Sequence, residues 1–188
     1  MRKSSGMSFV AALSVLVAGA APLVAQAPGS GEIVLTSSAF EAGAPIPLRH
    51  SAYGENVSPA FSWSNLPEGT RSLALILDDP DAPTPEPFVH WVIYNIPASA
   101  TGLPEGLPTD ATLSDPPGAH QGPTGLNRPG YFGPRPPAGP VHNYQFTLYA
   151  LSIEPNLPEG LGASELRAAI DGAILGQTTL IGTYQATQ

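Results

Sequence analysis

The chain has 188 residues, no cysteine, and seven basic against fifteen acidic side chains, for a formal charge of −8. That balance argues against nucleic acid and anionic membrane surfaces as main partners, and the missing thiols exclude disulfides and thiolate zinc sites. Glycine and proline number 20 and 23, close to a low-complexity level, yet here they punctuate short runs of β-branched and aromatic residues.

Residues 1–27 read as a secretory signal, with Arg2 and Lys3 as the basic start and Phe9 to Ala21 as an apolar stretch too short to span a bilayer. Ala25-Gln26-Ala27 has the small-x-small cleavage pattern, although Pro28 follows it, and Ala18-Gly19-Ala20 is a second candidate. The expectation is a periplasmic or secreted protein with no stable membrane insertion after cleavage, and with no cysteine to carry a lipid anchor. Residues 28–188 suit one domain. They keep all fifteen acids but only five arginines (Arg49, Arg71, Arg128, Arg135 and Arg167), for a formal charge of −10.

Runs at Ile33–Thr36, Ala60–Trp63, Leu73–Leu77, Val89–Ile96, Tyr144–Leu151 and Thr179–Tyr184, separated by turn residues, predict a mostly antiparallel β domain. Leu73–Leu77 and Trp91–Ile96 are nearly continuous apolar runs, as central strands covered on both faces require. In Tyr144–Ala150 the period is two, with Tyr144, Phe146, Leu148 and Ala150 on one face. One helix is expected over Glu165–Leu175, capped by Ser164, striped by Leu166, Ala169, Ile170 and Ala173, and ended by Gly176. Pro97 to Pro140 shows little periodicity; a loop of that length serves a site or wraps the sheet.

The chemistry concentrates at Asp78-Asp79-Pro80-Asp81-Ala82-Pro83, an acidic turn stiffened by prolines at the end of a strand. By itself such a turn is an Asx turn that stops the strand. Crowding of its carboxylates would raise at least one pKa, and a carboxylate bonded to His90 would hold that ring as a charged donor to a phosphate oxygen. His142 opens a second run beside the rim Gly133-Pro134-Arg135-Pro136-Pro137, so the two histidines are expected to share a site. Arg135 could attract an anion there, while His50 and His120 are expected at the surface. GxSxG, HExxH, Walker and paired CxxC motifs are absent.

These segments together resemble the phosphatidylethanolamine-binding protein (PEBP) family, in its bacterial Raf kinase inhibitor-like (YbhB/YbcL-type) branch. The resemblance rests on Asn56-Val57-Ser58-Pro59 with Trp63, Ser72-Leu73-Ala74-Leu75, Asp79 to Pro83, His90-Trp91-Val92, Gly133-Pro134 through Pro136-Pro137, His142 with Tyr144, and Leu175-Gly176-Gln177. It implies a large central antiparallel sheet flanked by a smaller sheet and a few short helices. It also implies a small anion pocket that would include Asp79, Asp81, Pro83, His90, Gly133, Pro137, His142 and Tyr144. Members usually read His-Arg-Tyr where this chain has His142-Asn143-Tyr144. The segment Leu126 to Tyr131 is altered and rich in proline, and the closing helix lacks a usual histidine.

The function expected from these residues is binding without catalysis or cofactor: a phosphate or phospholipid-headgroup ligand held by the His/Asp pocket of an exported protein. The alternative is an inhibitor of an envelope enzyme, a protease or a kinase-like regulator, acting through its proline-rich loops. A hydrolase or metal site ranks below both, because no nucleophile stands beside a base in the sequence.

Overall fold

The computed structural model describes Met1 and residues 31–186; the expected signal segment beyond Met1 lies outside the described residues. Eight strands and one helix follow in order: β1 (Val34–Ser37), β2 (Phe61–Ser64), β3 (Ser72–Asp79), β4 (Phe88–Pro97), β5 (Gly102–Leu103), β6 (His120–Gln121), β7 (His142–Leu151), α1 (Ala163–Ile170) and β8 (Ile174–Tyr184). A five-stranded sheet has the order β6-β4-β3-β7-β8 and a three-stranded sheet the order β1-β2-β5. Every strand pairing in both sheets is antiparallel.

The apolar runs dictate this layering. Along β3, Leu73, Leu75 and Leu77 enter a core shared with Leu35, Phe61 and Trp63 of the small sheet, while Ala74 and Ile76 enter a second core beneath α1. β3 therefore has a hydrophobic residue at every pleat, as a strand covered on both faces must. In β7 the period-two face Tyr144, Phe146, Leu148 and Ala150 fills the first core, and Tyr149 and Leu151 fill the second. Complete burial of a leucine or isoleucine here contributes about 1.5–3 kcal/mol.

β4 reaches the same two-sided burial with a correction in its middle. Leu73 pairs with Ile96 but Leu75 with Ile93, so β4 carries one residue more than its partner, a β-bulge. Asn95 stands there with φ 57°, in the left-handed region that asparagine tolerates best among residues with a side chain. Its buried amide donates to the Leu157 carbonyl at 2.8 Å and accepts from the Leu157 amide at 3.1 Å. The bulge thereby puts both Ile93 and Ile96 into the first core.

The helix differs from expectation at both ends. It begins at Ala163, with Gly162 in the capping position and no side-chain cap, so Ser164 lies inside the first turn. The buried stripe is Ala163, Leu166 and Ile170, and Ala169 is exposed. After Ile170 a 3-10 turn, Asp171–Ala173, leads directly into β8. Ile174 already pairs with Leu151, and Gly176 lies within β8 opposite Ala150 rather than ending a helix. Ladder bonds to β7 outweigh the helical propensity of that segment.

The stretch Pro97 to Pro140 wraps the sheet edge. Its anchor is Gln121, 1% exposed: the Gln121 carbonyl oxygen accepts from the Trp91 indole at 2.6 Å, and its amide nitrogen donates to the carbonyls of Pro108 and Asp110 at 2.7 and 2.8 Å. His50, expected at the surface, is instead buried in a 3-10 turn with Nδ1 2.8 Å from the Val57 carbonyl oxygen. His120 is also partly covered, with its ring against Tyr94 and Nδ1 3.1 Å from the Thr112 hydroxyl.

Candidate functional site

The ends of β3, β4 and β7 converge with the Gly133–Pro137 rim on a cavity of about 320 Å3. Asp79, Pro83, His90, Pro137 and His142 line it, together with Phe88, Phe132 and Arg135. Of the other expected residues, Gly133 and Tyr144 are buried and Asp81 is exposed on the turn, and none of the three lines the cavity. Phe88 and Phe132, the aromatic walls, lie outside the residues expected from the sequence. Their only signal in the sequence is adjacency, Phe88 two residues before His90 and Phe132 directly before Gly133.

Asp79 is 2% exposed at the end of β3. Its Oδ2 lies 2.8 Å from His142 Nδ1, and its Oδ1 accepts the Asp81 amide at 2.9 Å. The acidic turn therefore orients His142 rather than His90, contrary to the expected pairing. Asp81 in turn accepts from both the backbone and side-chain nitrogens of Asn143, at 2.7 and 2.9 Å. Those two bonds hold its carboxyl below the usual carboxylate range. Asn143 thus clamps the turn to β7 without adding charge.

Asp78 takes no part in this site. Adjacent residues of a strand face opposite sides, and Asp78 looks toward α1, where its Oδ2 accepts from the Arg167 guanidinium. Burial raises its pKa, and Arg167 opposes that rise. The expected crowding of three carboxylates is removed by the pleat.

A second bulge places His90. Leu77 pairs with Trp91 and Asp78 with Val89, so His90 is the extra residue of β4. Strict alternation would turn His90 away from the Trp91 side. Instead its ring sits edge-on to Tyr144, a member of the same core as Trp91, at 5.1 Å between centroids, and stacks on Phe132 at 5.4 Å and 6°. Phe88 closes a third side at 4.9 Å. Nδ1 of His90 lies 2.7 Å from the Phe132 carbonyl oxygen. Burial drives its pKa down to about 4, against the upward pull of the Phe132 carbonyl and of Asp79. Both site histidines thus use Nδ1 within the protein, and Nε2 is the nitrogen left for the cavity.

The rim is fixed by close backbone packing. A Cβ on Gly133 would come within 2.2 Å of the His50 carbonyl oxygen, so only glycine fits, and its amide donates to Asn56 Oδ1 at 2.7 Å. Arg135 places its guanidinium carbon 5.8 Å from the centre of the Tyr53 ring, a cation–π contact, and Tyr53 donates its hydroxyl to the Pro136 carbonyl at 2.6 Å. Tyr144 is fully buried beneath the cavity. Its hydroxyl has no hydrogen-bond partner among the described residues, and burial beside Asp79 pushes its pKa up.

Residues 36–185 match the family model described as Phosphatidylethanolamine-binding protein. The chain belongs to the phosphatidylethanolamine-binding protein family. Among PEBP-type structures, YbcL of Escherichia coli, described as a new member of the mammalian PEBP family, superposes with a TM-score of 0.77 at 31% identity, covering 83% of this chain and 99% of YbcL. The PEBP homologue CT736 of Chlamydia trachomatis gives 0.74 at 36% identity, covering 84% and 99%. The UPF0098 protein of Methanothermobacter thermautotrophicus is 44% identical over 80% of this chain and 97% of its own length. LppC of Mycobacterium tuberculosis, provisionally named a lipoprotein, is 41% identical over 85% of this chain and 75% of its own length. The expected two-sheet PEBP fold is therefore the fold observed. Among the described residues, no helix is long and apolar enough to cross a membrane.

Proposed function

We propose that this PEBP-family protein is an exported, non-enzymatic binding protein whose pocket holds a phosphate or a phospholipid-headgroup-type anion. One observation carries the reading: two buried histidines, each tied through Nδ1, leave Nε2 to a single cavity, and the buried Asp79 carboxylate backs one of them. With a proton on both nitrogens, His142 donates Nε2–H to an anion while Asp79 neutralises the ring. Phe88, Phe132, Pro83 and Pro137 form apolar walls that keep water from competing for those donors.

The absence of catalysis is part of the proposal. The one side-chain hydroxyl in the lining, Thr84, donates to the Glu86 carbonyl at 2.6 Å, so it is not presented to either histidine. Export is supported by the basic-then-apolar start of the sequence and by the similarity to LppC. Titration of the purified protein with O-phosphorylethanolamine tests the binding reading. Saturable binding that His142→Ala weakens at least about tenfold is expected from losing a charge-assisted donor. Binding untouched by both His142→Ala and His90→Ala would remove the pocket from the account.

A further inference from the structure

His90 is offered to the cavity in one tautomer. A carbonyl oxygen only accepts, so the 2.7 Å contact with Phe132 puts the ring proton on Nδ1 and leaves a lone pair on Nε2. That lone pair has no partner among the described residues and belongs to a ring 3% exposed among Phe88, Phe132 and Tyr144.

The charged and titratable groups around it are Asp79 on β3, Asp81 in the turn after it, His142 and Tyr144 on β7, and Arg128 and Arg135 on the rim segment. Arg128 stands over Phe132 at 5.9 Å and Arg135 over Tyr53 at 5.8 Å, so neither arginine is bonded to the His90 ring. Asp79 favours a charged His90, but it is already engaged by His142 and the Asp81 amide. Burial outweighs all of these and keeps the ring neutral near pH 7.

An unprotonated phosphate oxygen against this nitrogen of a largely buried ring would set lone pair against lone pair, which costs more than in solution. A ligand that brings its own acidic hydroxyl fills the acceptor. We propose that the pocket takes its phosphate ligand in the protonated form, with a P–OH donating to His90 Nε2 and the charged oxygens turned toward His142. This rests on the reading of the pocket as a phosphate site. It selects phosphate monoesters and inorganic phosphate over the diester linkage of an intact phospholipid, which has no titratable proton near neutral pH.

Calorimetric titrations of the purified protein from pH 5.5 to 8, in buffers of different ionisation enthalpy, test it with O-phosphorylethanolamine and glycerophosphoethanolamine as probes. Any proton taken up by the protein itself would be common to both, so the difference between them reports the P–OH. The monoester should bind with uptake approaching one proton at pH 8 and Kd rising about tenfold per pH unit above its second pKa of about 6. The diester should bind at least about tenfold more weakly at pH 7, and nitrogen-15 spectra of the monoester complex should show His90 Nε2 unprotonated.

Monoester binding without extra proton uptake, or a protonated His90 Nε2 in the complex, overturns the proposal and leaves the phosphate site standing. Equal affinity for the diester does the same, and it also covers an ammonium donor, since both probes carry one. If neither probe binds at any pH, the phosphate site itself falls. In His90→Gln, whose amide can donate as well as accept, the gap between the probes should close to about threefold or less; a gap of unchanged size also overturns the proposal.

Discussion

Asp79 and His142 meet at 2.8 Å as diagonal neighbours on adjacent strands, with Asp78 paired to Gln145 across the same ladder. The contact is 63 residues long in sequence and lies in the interior, at 4% and 3% side-chain exposure. Removing one partner of such a pair leaves the other buried and alone, typically at a cost of about 3–5 kcal/mol. Asp79→Ala should lower the unfolding free energy by roughly that amount. Asp79→Asn, which keeps one acceptor for the Asp81 amide, should cost about 1–3 kcal/mol. Urea unfolding of both variants checks the order, and equal losses would show that the acceptor kept by asparagine contributes nothing and that the charge, lost in both, accounts for the whole effect.

His90 makes stability depend on pH. Its native pKa is depressed to about 4, whereas the unfolded chain titrates near the ordinary value of about 6.5. Between those values the unfolded state binds more protons than the native state, so stability falls as the pH falls through that window and levels off below it. The expected loss from His90 between pH 7 and pH 4.5 is roughly 2 kcal/mol. His90→Gln should remove that part of the slope in urea midpoints measured at the two pH values. An unchanged slope would assign the acid sensitivity to other groups.

Gly133→Ala should damage the rim, because the nearest atoms to the new methyl are backbone: His50 O at 2.2 Å and Ser51 Cα at 2.9 Å. Overpacking of this kind costs about 1–3 kcal/mol, and phosphorylethanolamine binding should weaken with it as the loop retreats. Gly172→Ala is the control, since a Cβ there meets nothing within 4 Å. Thermal unfolding should separate the two by several degrees.

At the β4 bulge, Asn95→Gly keeps the left-handed backbone and loses only the two bonds to Leu157, whereas Asn95→Ala loses both and adds about 1 kcal/mol of backbone strain. Alanine should therefore be the more destabilising of the two substitutions. Glycine proving worse would mean that the strain at this position is negligible.

The strands were legible where burial alone decides them. Leu73–Leu77 and Trp91–Ile96 read as two-sided central strands and are so, and the alternating run from Tyr144 is β7. Alternation also contains the split between Asp78 and Asp79, which a count of neighbouring acids overlooks. What the pattern could not show was the bulge that re-aims His90, because an extra residue in one strand is defined only by the register of its partner. The same holds for the end of α1: the segment after Ile170 carries a helical stripe on paper, and pairing with β7 claims it as strand. The choice of His142 rather than His90 as the partner of Asp79 depended on the β3–β7 register in the same way.

Gln121 closes loops to Pro108 and Asp110 while holding the Trp91 indole, the sort of cross-link that secreted domains often make from two half-cystines. A carboxamide knot needs no oxidant, no isomerase and no particular glutathione poise. The stretch it fastens holds no redox-sensitive bond, so the thiol–disulfide poise of a compartment has no hold on it.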